Sequence, residues 1–151
     1  MYEVEPCIGR LVLVRWRGPL SMDEFMPFLS RVRDVAVAAP GRLVFCSDYR
    51  GAESFPSAAL EPIVWSLLRQ DNPRTDCSVF LLDEDNSTLR AQVESMLVQS
   101  SHPGRKIFTA AASLLAWIAP RLDTLEQRRL QTFLARERSE RPGPLLNTRS
   151  R

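Results

Sequence analysis

Histidine and lysine are almost missing from this chain: His102 and Lys106 each stand alone among 151 residues. A single imidazole leaves Ser-His-Asp triads and His-rich zinc sites without their usual parts. A lone lysine at the front of a short predicted strand, and not at its end, does not fit a receiver-type pocket built on an aspartate such as Asp48. Cysteine is sparse and odd in number. Cys7, Cys46 and Cys77 are far apart with no CxxC spacing, which points to buried thiols and away from a metal or disulfide framework. No GxGxxG or GxxxxGK(S/T) phosphate cradle occurs. No apolar run nears the roughly 20 residues that cross a bilayer. Glu3 and Glu5 sit where a secretory leader would be cationic and then apolar, so the cytoplasm is the expected compartment. No cofactor and no metal ion is expected, and no set of residues amounts to a catalytic constellation.

What is present is an ordinary globular balance, 44% hydrophobic and 25% charged, in a chain of single-domain length. The formal charge of +2 conceals a split. Residues 1–120 carry 12 Arg/Lys against 14 Asp/Glu, whereas residues 121–151 carry 8 Arg against 4 Asp/Glu. A body, an amphipathic helix over 121–138 and a disordered basic tail over 139–151 are therefore expected.

Within the body, hydrophobic periodicity alternates between strand and helix. Tyr2 to Ile8 and Leu11 to Trp16 read as an antiparallel hairpin turned at Gly9-Arg10. Ser21 with Glu24 forms a capping box ahead of a helix carrying Phe25, Phe28, Leu29, Val32 and Val35. Leu43-Val44-Phe45-Cys46 is a continuous apolar run, as in a strand buried on both faces. A Gly-containing loop follows it. The next helix is read from Pro56 or Ser57, or from Leu60-Glu61 if Pro62 shifts its start, and Asn72-Pro73 stops it. Cys77 to Leu82 is a further strand, Ser87-Thr88 leads into a third helix, and His102-Pro103-Gly104 ends that helix. Arg105 to Phe108 is the last strand, Thr109 the predicted cap, and Ala110 to Ile118 a compact helix. The order β-β-α-β-α-β-α-β-α predicts an α/β domain with a mixed, mainly parallel sheet, an N-terminal antiparallel hairpin and helices layered against it.

Three segments in this order resemble the STAS domain, the fold of the anti-anti-sigma factors, and more closely its SpoIIAA-like (STAS/SEC14-type) branch. They are Trp16-Arg17-Gly18-Pro19-Leu20-Ser21, Asp48-Tyr49-Arg50-Gly51 through Phe55-Pro56-Ser57, and Ile107-Phe108-Thr109 through Ala116-Trp117-Ile118. Together they span residues 2–119, which the resemblance makes the domain proper, 1–120 in all. It implies a non-enzymatic module that docks a partner through the loop and helix after the central strand. The partner would be a regulatory kinase, an anti-sigma-type factor or another signalling protein. Ser57 aligns with the serine that is phosphorylated in regulated members, although Pro56 replaces the acidic residue before it and Ala58-Ala59 the Ser-Gly after it.

The residues expected to meet the partner are Asp48, Tyr49, Arg50, Glu53, Ser54, Phe55 and Ser57. Phe55 is read as the apolar anchor, so that its loss would spare stability and abolish capture. A phosphate on Ser57 would be stabilised by a helix N-terminus, and capping is the plainer role for the same hydroxyl. Asp83-Glu84-Asp85-Asn86 is read as a solvated loop and helix cap in preference to a cation site. For the C-terminal helix, packing on its own domain, a homodimer or other partner contact, and an acidic surface all compete, with nucleic acid ranked below the others. The SEC14-type side of the resemblance allows an alternative, a small-ligand or lipid-binding module with an apolar cavity between helices and sheet.

Overall fold

Leu11–Trp16 (β2), Leu43–Asp48 (β3) and Thr75–Leu81 (β4) each hold a continuous apolar run, and they lie side by side in parallel. The computed structural model describes residues 1–56 and 61–140. Tyr2–Val4 (β1) pairs antiparallel with β2 at one margin, and Arg105–Phe108 (β5) pairs parallel with β4 at the other. The five-stranded sheet has the order β1-β2-β3-β4-β5, so β3 is central, as its two-sided burial requires. The expected first strand is shorter than the sequence suggests. Pro6 lacks the N–H that would extend the ladder, and after Glu5 N donates to Leu13 O (3.0 Å) pairing resumes only at the Ile8–Leu11 turn.

Stepping one strand at a time in one direction, with crossovers of one hand, puts every crossover helix on the same face. Met22–Ala38 (α1), Glu61–Asp71 (α2) and Ser87–Ser100 (α3) share that face. They pack on Val12, Val14, Trp16, Leu43, Phe80 and Leu82. The opposite residues of the same strands, among them Leu11, Leu13, Val44, Cys46 and Val79, pack under Ala111–Ile118 (α4) and Thr124–Glu140 (α5).

The helix ends obey local chemistry. The Ser21 hydroxyl accepts from Glu24 N (3.3 Å), and Asn86 Oδ1 accepts from Leu89 N (3.1 Å). Within the described residues the helix after the central strand spans Glu61–Asp71; Pro56 is not helical, and starts at Ser57 or Leu60 fall outside the described residues, while the end at Asp71 agrees with the Asn72-Pro73 stop. Thr109 does not cap α4, whose N-cap is Ala110 without a side-chain bond. At the end of α3, Ser101 is left-handed (φ 56°), and a Cβ at Gly104 would lie 2.7 Å from Asp76 O, which requires glycine there.

The C-terminal helix packs back on its own domain. Asp123 and Glu126 cap it reciprocally: Glu126 N donates to Asp123 Oδ1 (2.8 Å) and Asp123 N to Glu126 Oε1 (2.9 Å). The second Glu126 oxygen accepts from Arg10 N (2.8 Å), tying the helix start to the hairpin turn. Leu130, Phe133 and Leu134 enter the core, but Leu125 is 68% exposed, so the stripe is narrower than the leucines suggest. Its arginines meet the acidic first strand: Arg129 pairs with Glu5, and Arg136 with Glu3 and Glu5. Residues 141–151 of the predicted basic tail lie outside the described residues.

Candidate functional site

The C-terminal ends of β2, β3 and β4 converge on the corner that the sequence singles out. Arg15 and Asp48 are register partners on neighbouring strands, both on the face covered by α5. Asp48 is 1% exposed and accepts from both arginines around it. Arg15 donates through Nε (3.3 Å) and Nη2 (3.2 Å) to Oδ2, and Arg50 through Nε (2.9 Å) to Oδ1 and Nη2 (2.9 Å) to Oδ2. The Arg50 backbone N–H adds a further bond to Oδ1 (3.2 Å). The arginines in turn donate to α5 carbonyls, Arg15 to Phe133 O and Arg50 to Leu134 O (3.0 Å), and the Arg15 guanidinium lies 4.0 Å over the Phe133 ring. A carboxylate so fully engaged is a fastener for α5, with both oxygens occupied.

The loop beyond it is held from the other side. Gly51 is left-handed (φ 80°), and its N–H donates to Asp83 Oδ2 (2.6 Å). The Asn86 amide donates to Ala52 O (2.8 Å) and Glu53 O (2.7 Å) while its oxygen caps α3, and Phe55 N donates to Gln92 Oε1 (2.9 Å). Gly18 N donates to Gly51 O (2.7 Å), joining the β2–α1 turn to the same unit. The acidic stretch thus serves the loop: Asp83 and Asn86 brace it, and Glu84 and Asp85 remain exposed beside Glu53. Among the described residues no group of three or more His, Cys, Asp or Glu is placed to hold a metal ion.

The residues expected to meet a partner therefore divide. Glu53 is exposed and Ser54 half-buried; Arg50 is mostly covered, bonded to Asp48 and α5. Asp48 and Tyr49 are buried, and Phe55, expected as an exposed anchor, is only 6% exposed. Its ring packs on Trp16 (5.1 Å between centroids), Phe25 (5.8 Å) and Tyr49 (6.2 Å), because the braced loop turns it inward under α1. Burial pushes the Tyr49 phenol up to about 12. Ser57 lies outside the described residues.

Other sequence candidates have structural explanations. His102 sits in its turn, with Nε2 2.8 Å from Thr75 O and Nδ1 accepting from Gly104 N (2.9 Å). Cys46 and Cys77 are buried, Cys7 partly so, and desolvation pushes the Cys77 thiol up to about 11 and Cys46 higher still, so neither buried thiol is a nucleophile at neutral pH.

A cavity of about 90 Å³ lies between the sheet and α1, α2 and α3, the place the small-ligand alternative requires, but sequence reasoning missed the residues of its polar end. Its walls include Phe25, Phe28, Phe45, Phe80 and Met96, and Tyr49 and Phe55 face it from beneath the loop. One end is polar, lined by Asp71, Thr75, Ser78 and Arg105. Arg105 shares the strand parity of Ile107, which packs on that face, and that parity was the available signal.

The fold is an α/β domain with a mixed, mainly parallel sheet and an N-terminal antiparallel hairpin. No protein-family model, curated protein or solved structure matches the chain. Among the described residues no helix is long and apolar enough to cross a membrane.

Proposed function

We propose that the chain is a non-enzymatic regulatory adaptor of the STAS, SpoIIAA-like type, acting in the cytoplasm by reversible association with a signalling protein through the loop after β3. The bracing of that loop by Asp83, Asn86 and Gln92 supports the reading, because a surface held in one conformation loses little conformational entropy on docking. The exposed carboxylates Glu53, Glu84 and Asp85 make the rim mainly acidic, with Arg17 alongside Gly51, and a partner with basic groups at its contact edge fits it. Phosphorylation of Ser57, four residues after Glu53 in the chain, would add about two negative charges and weaken such a partner's hold.

The discriminating variant is Glu53→Lys, which reverses an exposed charge without touching the core. Its stability should stay within about 0.5 kcal/mol of wild type. The affinity of a partner isolated from native cytosol, measured by titration calorimetry, should fall about tenfold or more. Equal affinity for both proteins would remove the loop from the interface.

A second reading has its own support. The cavity between sheet and helices is the feature that a small-ligand module of SEC14-like type requires, and its contact with Tyr49 and Phe55 would let an occupant act on the loop from below.

A further inference from the structure

We propose that this cavity binds a small aliphatic monocarboxylate, its tail among the aromatic walls and its carboxylate on Arg105. The inference rests on the small-ligand reading and names the ligand class. Arg105 is only 8% exposed, and its Nη2 donates to Leu68 O (2.8 Å) and Asn72 Oδ1 (2.8 Å), both neutral acceptors. Asn72 is itself fixed by donating to Ser100 O (2.7 Å), so the guanidinium is held in place without being neutralised by these bonds. The Arg105 Nε–H is buried and has no acceptor among the described residues. Such a donor on a buried cation costs folding free energy unless something accepts from it.

Asp71 lines the same end and is the charge that opposes the effect of burial on Arg105. Burial pushes the Asp71 carboxyl up, against the pull of Arg105, Arg33 and Arg74, and lowers Arg105 to about 10. The guanidinium therefore remains cationic at neutral pH in surroundings that favour an added anion. A monocarboxylate adds one negative charge beside Asp71, and Arg105, Arg33 and Arg74 together face that end, whereas a phosphate dianion would add two charges to a largely apolar chamber. The volume, about 90 Å³, sets the tail. A cavity needs only about 10–15 Å³ of such space to hold one water, so the chamber has room for several and admits a short-chain carboxylate of about three to five carbons.

Butyrate is the probe, and butyramide is the control of the same shape without charge. Binding is followed by titration calorimetry and by ligand-observed NMR on the full chain. Wild type should bind butyrate at least tenfold more tightly than butyramide, and Arg105→Met should lose that preference. The comparison of the two probes on wild type stands even if the variant does not fold. Equal binding of both probes overturns the carboxylate assignment and leaves a small-ligand cavity. Inorganic phosphate binding as tightly as butyrate also overturns it. No binding of either organic probe overturns the assignment; a co-purified ligand of another class, detected by native mass spectrometry, would still support the small-ligand reading, and its absence would remove that reading too.

Discussion

Asp48→Ala is expected to destabilise the fold by about 3–5 kcal/mol, the usual consequence of removing one partner from a buried ion pair. The size follows from what is left behind. The Arg15 side chain is 3% exposed and loses its closest carboxylate, keeping only a 3.7 Å ion pair to Glu3, the Phe133 carbonyl and the Phe133 ring. Arg50 loses its bidentate partner at the same time. Because both arginines hold α5 carbonyls, the loss should reach the C-terminal helix, which would exchange its amide protons faster than the central strands do. Urea unfolding monitored by circular dichroism measures the change. A loss below about 1 kcal/mol would mean that the apolar contacts of Leu130, Phe133 and Leu134 hold α5 without the ionic fastener.

Phe55→Ala should cost a similar amount, about 3–5 kcal/mol, as for other buried aromatics truncated to alanine. The side chain packs on all three rings of a cluster with Trp16, Phe25 and Tyr49, and its removal would enlarge a cavity already lined by the same ring. This reverses what the sequence suggests, namely an exposed anchor whose loss spares stability. Differential scanning calorimetry decides between them: a midpoint close to wild type would return Phe55 to the surface, and a large fall fixes it in the core. Reduced partner capture by this variant would then report unfolding, which is why Glu53→Lys is the test of docking.

The elements of the fold were legible where local chemistry is strong. Continuous apolar runs announced β2, β3 and β4, and Ser21 and Asn72-Pro73 marked helix ends, whereas the meeting of Glu3 and Glu5 with Arg129 and Arg136 had no local signal. The corner was legible in position and misread in orientation. Residues 49–55 have no periodicity, so nothing local tells whether Phe55 points out or in; side chains thirty or more positions away, on α3, decide it. The Arg15–Asp48 pair follows only once β2 and β3 are known to be parallel neighbours in register. Each residue carries the parity of inward-facing aliphatics, Arg15 that of Leu11 and Leu13, Asp48 that of Val44 and Cys46. Leu125 shows the opposite error, since the cap at Asp123 sets the helix phase and turns that leucine to solvent.

Docking at this corner requires a loop presented in one fixed conformation by Asp83, Asn86 and Gln92. Amide hydrogen exchange at Gly51 and Phe55 tests this directly, because the acceptors of these two N–H groups are the side chains of Asp83 and Gln92. Both amides should exchange on the order of a hundredfold or more slowly than in an unstructured peptide. Exchange at the unstructured rate in the native protein would show a loop that samples many conformations, and would contradict a preformed docking surface.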